Sequence, residues 1–482
     1  MKFKIVFHLV SFLVMILSLF MGVVAAVSYL MDDPDQAWQG MLASAGITLV
    51  IGGAMWVFTR TTVELSRREG IGIVVFGWVT ATLLSCLPFH LTGAMNSLFD
   101  SFFEAASGLT TTGASVMSNL EAHSRAILLW RAVTHFLGGM GILVLVVAII
   151  PYLGVGGMQI YRAEVTGPSK DRLTPRIAST AKLLWGVYLL LNAILIVLLK
   201  FGGMQWFDAV CHAFATIATG GFSTRSASIA AFNSVYIESV LAAFMLLSGV
   251  NFALHFKALR GEPMCYVRDS ECRFYLVVTV CVSMLVAADL IRQDVIAPGE
   301  AFRHSTFYVI SLMTTTGFTT VDYDAWPAFS KMVLLTLFFL GGCAGSTAGG
   351  MKHIRVWLLV KKLGRVLQSF LKPQAVYSVK VSGQIVAPEI IFNVAVFFFV
   401  YMGVAAAGSI IMAFYCPDMA TAVSATLASL GNVGPGFATV GPMSNFADLP
   451  DGGKSVLAWL MLIGRLEFYT LLVVLLPSFW RK

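Results

Sequence analysis

Four short strings of this sequence repeat one chemistry. GLTTTGAS occupies residues 108–115, ATGGFST residues 218–224, TTTGFTT residues 314–320 and GNVGPGF residues 431–437. Each carries a glycine (Gly113, Gly221, Gly317 and Gly434) just after small or hydroxylated residues, or after Asn432 and Val433 in the last copy. Backbone carbonyls and threonine hydroxyls are neutral oxygens, able to replace the hydration shell of a monovalent cation. Turning successive carbonyls toward one axis forces some residues into conformations that glycine adopts cheaply. No string contains Asp or Glu, which argues against a carboxylate cage for Ca²⁺. Small residues also mediate helix packing in membranes, and that is the alternative reading of any single copy. Four copies in matching positions favour the ion site.

A second cluster has the same small-residue character. Residues 341–350 read GGCAGSTAGG inside a long apolar run, and each glycine costs a helix about 1 kcal/mol against alanine. A break in the span is expected there, with close helix packing or a simple kink as the alternative. Arg465 lies well inside the last apolar stretch, where a lone charge costs at least about 2.5 kcal/mol. It must face protein or a watery cavity, and its expected partner is a carbonyl oxygen of the 345–350 stretch. His135, His212 and His255 fall in or near apolar runs and are expected to be packed groups rather than proton relays. Arg131 and Lys331 are expected to snorkel to an interface. GGMG at 138–141 reads as a packing patch or a hinge.

The elements that position these residues must be membrane spans. The chain has 482 residues, 58% of them hydrophobic and 12% charged, with a mean hydropathy of +0.82. Soluble domains carry about 25% charged residues, so a soluble enzyme is excluded. Seven cysteines without CxxC spacing indicate neither zinc nor a disulfide framework. The net charge of +7 does not point to nucleic acid, because the cations alternate by loop. Lys and Arg collect at 60–68, 162–182, 257–273, 352–380 and the carboxyl terminus, while Asp and Glu occupy the loops between. This is the positive-inside asymmetry, and it places both termini in the cytoplasm.

The order of the spans is an all-α polytopic membrane fold. Apolar runs near 5–30 and 40–59 form an amino-terminal two-helix hairpin, the first read as a retained span rather than a cleaved signal peptide. Four fused units follow, each an outer helix, a short semi-polar helix too thin to cross, a glycine loop and an inner helix. The short helices are expected near 97–109, 206–217, 301–313 and 420–430, with inner spans near 127–153, 235–256, 332–360 and 456–479. The division is residues 1–69 for the hairpin, 70–162, 163–260 and 261–366 for repeats 1 to 3, and 367–482 for repeat 4. That last unit opens with YSVKVSGQIV, whose alternation about Ser382 and Gly383 predicts a small β-hairpin. The glycines recur roughly every 100 residues, a period of fused pore repeats set pseudo-fourfold around one pore.

At this point the text resembles a known family: the membrane subunit of bacterial Trk-type potassium uptake systems, in the Trk/Ktr/HKT superfamily. The resemblance covers essentially the whole chain. It rests on EAASGLTTTGA at 104–114, LGVGGMQIYRAE at 153–164, GGCAGSTAGGMK at 341–352, AVYSVK at 375–380 and GRLEFYTLLV at 464–473. The resemblance implies a filter that binds potassium at Thr111, Thr112 and Gly113; Thr219, Gly220 and Gly221; Thr315, Thr316 and Gly317; and Asn432, Val433 and Gly434. Glycine at the first of these loop positions goes with potassium preference in the family, and serine with sodium permeation. It further implies an intramembrane gate at Gly345, Ser346, Thr347, Gly349 and Gly350, with Arg465 opposing cations. The implied assembly is a homodimer in the bacterial cytoplasmic (inner) membrane, in contact with lipid and with a cytoplasmic nucleotide-binding ring that takes NAD or ATP/ADP. The fourth loop departs most from the others, through Asn432 and Pro435.

Two other functions compete with potassium uptake. An ion-conducting subunit of an ATP-driven potassium pump would share the four-repeat pore, but the amino-terminal hairpin and the basic loops favour the Trk type. A membrane enzyme would need His, Asp or Glu clustered at one face, and no such cluster stands out. No Walker A or GxGxxG loop follows a strand, so any nucleotide belongs to a partner. The chain is therefore expected to be no enzyme and to hold no cofactor, with K⁺ as its transported ion.

Overall fold

Apolar runs that must satisfy every backbone group without water have one local solution, the α-helix. The computed structural model describes residues 2–61, 67–148, 173–372, 378–466 and 468–480, with the backbone alone at 67, 142–148 and 173–179. Six helices are long and apolar enough to cross a bilayer: Phe3–Leu30, Asp35–Phe58, Arg68–Leu91, Thr180–Phe201, Ser270–Arg292 and Pro388–Met412. Their outward faces expose Phe12, Leu19, Val50, Leu189, Val280 and Phe399. Apolar surface on that scale belongs in lipid. The protein is a multi-pass membrane protein.

The first two helices form the expected hairpin. Gly52 lies against Val14 and Met15, and Ser18 Oγ donates to Ala45 O across the pair at 2.8 Å. Four short helices then alternate with the long ones: Leu98–Leu109, Trp206–Ile217, Pro298–Met313 and Met419–Leu430. The third starts three residues earlier than its sequence suggests, because Pro298 occupies the first turn, where its missing N–H costs nothing.

The helices after the loops differ more from expectation. The first, Arg125–Ala148, is continuous as far as it is described. The stretch expected as one span near 235–256 is two helices, Val235–Ser248 and Phe252–Leu259, bent by 101°. Gly249 and the Asn251 cap make the corner: Asn251 Oδ1 accepts from Ala253 N at 2.9 Å and starts a new helix. The last stretch begins at Asp451 rather than near 456, and it also consists of two helices, Asp451–Arg465 and Phe468–Leu475, bent by 109°. In the third repeat Ala328–Leu337 and His353–Leu371 flank an irregular segment containing the glycine-rich string, where a break was expected.

The predicted β-hairpin is present as Lys380–Val381 paired antiparallel with Gln384–Ile385. Ser382 (φ 46°) and Gly383 (φ 83°) are both left-handed, as a two-residue turn of the I′ kind requires. LGVGGMQIYRAE and most of the basic loop at 162–182 lie outside the described residues, as do 375–377 of AVYSVK and residue 467 of GRLEFYTLLV.

Candidate functional site

Each short helix ends the same way. Thr111 N bonds Gly108 O and Thr112 N bonds Ser107 O; the pattern recurs at Thr219 and Gly220, at Thr315 and Thr316, and at Asn432 and Val433. This is the Schellman motif, which needs a left-handed residue just past the helix and usually finds glycine. Here the left-handed residues are Thr111 (φ 53°), Thr219 (φ 55°), Thr315 (φ 56°) and Asn432 (φ 54°). A β-branched residue there is a true outlier, costing about 1–2 kcal/mol. Two residues on, Gly113, Gly221, Gly317 and Gly434 are left-handed again, with φ between 78° and 102°. The four loops share one backbone shape despite their different sequences.

They also share one location. A Cβ added to Gly113 would sit 2.0 Å from Gly220 O, and one on Gly221 would sit 1.9 Å from Thr316 O. On Gly317 it would meet Val433 O at 2.2 Å, and on Gly434 Thr112 O at 2.7 Å. Loop 1 thus touches loop 2, loop 2 touches loop 3, loop 3 touches loop 4, and loop 4 returns to loop 1. The contacts close a ring of carbonyls, and glycine is required at all four corners. Asn432 strengthens the closing contact, its Nδ2 donating to Thr112 Oγ1 at 2.9 Å and to Met461 O at 3.0 Å. The four short helices point their carbonyl ends, the negative poles of their dipoles, toward this ring.

Side chains behind the ring hold it. Glu104 accepts from Ser115 Oγ (2.9 Å), Val116 N (3.0 Å) and Arg131 Nε (2.8 Å). Arg131 also donates to Ser223 O of the second loop at 2.9 Å and lies over Phe222, 4.0 Å from the ring centroid. Arg131 is only 2% exposed, so the expectation that it snorkels is wrong: its charge is spent on a buried partner. Lys331, by contrast, stays half-exposed and pairs with Asp324. The matching helix position in the other repeats carries different chemistry. His212 bonds Asp208 O through Nδ1 (2.7 Å) and Ser223 Oγ through Nε2 (2.9 Å). Tyr308 OH accepts from Thr320 N (2.8 Å) and Val321 N (2.9 Å). In the fourth repeat the adjacent Ser424 accepts from Phe437 N at 2.9 Å.

The glycine-rich segment packs against the helix ends of loops 2, 3 and 4. Thr347 Oγ1 donates to Ile217 O at 2.8 Å, Gly349 N donates to Thr315 Oγ1 at 2.7 Å, and a Cβ on Gly349 would lie 2.6 Å from Gly431 O. Left-handed Gly345 lies against Asn251, and its carbonyl accepts from Phe252 N at 3.0 Å. Cys343 N bonds Gly249 O at 2.8 Å, so the corner in the second repeat serves as a seat for this segment. Ser346 Oγ turns inward to Cys343 O at 2.6 Å, and left-handed Gly350 packs on Gly341. Arg465, 2% exposed, donates from Nη1 to Thr347 O at 2.9 Å, the kind of carbonyl partner its burial demanded. Its Nε and Nη2 have no acceptor among the described residues, and buried donors of that kind are commonly served by water.

All twelve loop residues named from the sequence come together; of the five segment residues Gly349 touches them directly, at Thr315 and Asn432, Thr347 reaches the end of the second short helix, and Arg465 meets the segment through Thr347 O. The histidines are packed: His135 stacks on Phe222 with centroids 4.1 Å apart, and His255 sits between Tyr266 OH and Leu247 O. Gly138 and Gly139 press on Leu109 O and Ala218, so GGMG serves packing at the loop bases. Sequence reasoning missed the roles of Glu104, Arg131 and Asn251. Their signal was there, as charges or an amide inside apolar runs, but not their partners. No group of His, Cys, Asp or Glu fit to hold a metal occurs among the described residues.

A helical, multi-pass membrane protein whose four loops close a ring of backbone carbonyls has the architecture of an ion-transport protein. The comparisons narrow the class. The family model TrkH, described as a cation transport protein, matches residues 37–482. The "Trk system potassium uptake protein TrkH" of Escherichia coli K12 is 40% identical over the full length of both chains. The "Trk system potassium uptake protein TrkG" of the same strain is 35% identical over 99% of each. A solved structure, that of the "Potassium Transporter TrkH from Vibrio parahaemolyticus", superimposes with a TM-score of 0.91 at 38% identity, covering all of both chains. The chain belongs to the TrkH family of cation transport proteins, a family of transporters and not of enzymes.

Proposed function

We propose that this protein takes up potassium across the bacterial cytoplasmic membrane, as the membrane subunit of a Trk-type system, and that the ring of four loops is its selectivity filter. The observation that carries the reading is the closure of the ring: four loops of one backbone shape, each glycine seated on its neighbour's carbonyl. Carbonyl and hydroxyl oxygens without a carboxylate suit a weakly hydrated monovalent cation. The nearest acid to the first loop, Glu104, is spent on Arg131. The names of the relatives point to the same cargo. K⁺ is transported here, not kept as a cofactor.

On this reading the four helix–loop–helix units are pseudo-fourfold repeats, and ions pass along their common axis. The glycine-rich segment is the gate, held against the ring by Thr347, Gly349 and Arg465. A second copy of the chain and a cytoplasmic nucleotide-binding ring complete the system, with both termini on the cytoplasmic side. The cytoplasmic placement of the termini is supported by the positive charge of alternate loops.

Gly113→Ser tests the filter. Its Cβ would fall 2.0 Å from Gly220 O, so the first and second loops must move apart. We expect the K⁺ over Na⁺ flux ratio in reconstituted vesicles to fall by about tenfold, the equivalent of roughly 1.4 kcal/mol of discrimination. An unchanged ratio would remove Gly113 from the filter.

A further inference from the structure

Glu271 belongs neither to the ring nor to the Arg465 contact, yet it touches the glycine-rich segment's surroundings twice. One carboxylate oxygen accepts from Ala344 N at 2.7 Å and from Ile354 N at 2.9 Å. Ala344 sits inside the segment, just before left-handed Gly345. Ile354 lies in the first turn of His353–Leu371, the helix that follows. Lys352, the N-cap of that helix, supplies no side-chain capping bond, so the acceptor comes from another element. The glutamate is 8% exposed, and a buried acidic side chain is accommodated where donors meet its oxygen.

One side of this contact is a helix and the other is a glycine-rich irregular segment. Glu271 stands on the first turn of Ser270–Arg292, where Asp269 accepts from Cys272 N at 2.8 Å. Beside it, Ser270 Oγ lies 3.1 Å from Ser382 Oγ of the β-hairpin. Val379, Val381 and Val386 of that hairpin region share one apolar cluster with Ile354 and Leu358. The segment itself has five glycines among its ten residues at 341–350, and glycine gives up the most backbone freedom when ordered. A helix-borne acceptor facing a segment that is costly to order makes a latch.

We propose that Glu271 is a positioning residue that latches the glycine-rich segment against the ring, and that its bond to Ala344 must loosen before the pore conducts. The proposal rests on the reading of that segment as the gate. It is tested with purified full-length protein in vesicles, by rubidium tracer uptake without any soluble partner. Glu271→Ala should raise this basal flux about tenfold, the factor that loss of one hydrogen bond allows, with the K⁺ over Na⁺ ratio of wild type. Glu271→Gln keeps the shape and one acceptor oxygen and should fall between the two; it decides the matter where the alanine variant does not fold. Arg465→Ala, run alongside, reports on the gate itself. A raised flux in Arg465→Ala with both Glu271 variants at the wild-type level overturns the latch and leaves the gate standing. No rise in any of the three overturns the gate reading and the latch with it. A rise in Glu271→Ala accompanied by lost selectivity overturns the latch too, because Glu271 would then be supporting the ring.

Discussion

Glu104 and Arg131 show what single residues contribute behind the ring. Each is buried, and each is the other's charge partner at 2.8 Å. Removing one leaves an uncompensated charge in a dry site, which costs about 3–5 kcal/mol, whereas removing both costs much less. Glu104→Gln and Arg131→Met should therefore each lower the unfolding midpoint in detergent sharply, and the double variant should recover at least half of the loss. Additive losses would mean that the two residues act independently. At this scale the sequence was half legible. The four loops could be found because glycine and hydroxylated residues advertise their own backbone needs, whereas the twelve positions within them rest on the family resemblance. Arg131 could not be placed, since snorkelling and pairing look identical until the helix face is known, and its partner lies on another helix.

Among the elements, the short helices were readable and the bends were not. A run of about 12 semi-polar residues between long apolar ones cannot cross a bilayer, so four short, non-spanning helices are expected from length alone. The corner at 249–251 joins the local Asn251 cap to a tertiary contact, the bond from Cys343 N to Gly249 O. A single Gly in an apolar stretch is otherwise compatible with an unbroken helix. The packing of the glycine-rich segment makes its own prediction. A side chain at Gly349 meets Gly431 O at 2.6 Å and Asn432 Cβ at 2.8 Å, so Gly349→Val should push the segment off the ring. We expect rubidium uptake by partner-free vesicles to rise several-fold; a variant that folds and conducts no more than wild type would show that this contact does not hold the pore shut.

For the whole molecule, the fold was legible because membrane solvation leaves few choices. Composition dictated helices, and charge alternation points to the proposed orientation, with both termini in the cytoplasm. The recurrence of one glycine string every hundred residues or so suggested fused repeats. What the sequence could not supply was the closure itself: four similar strings might have served four separate packing contacts, and only the glycine-to-carbonyl contacts from loop 1 round to loop 4 unite them. We propose that this one ring chooses the ion that passes. The direct measurement is uptake of K⁺, Rb⁺ and Na⁺ into vesicles containing only this purified protein, with and without an imposed proton gradient. K⁺ and Rb⁺ should enter and compete with one another while Na⁺ enters at least about tenfold more slowly, as expected of a carbonyl-lined filter. Equal entry of Na⁺ and K⁺, or uptake that occurs only when a proton gradient is imposed, would contradict it.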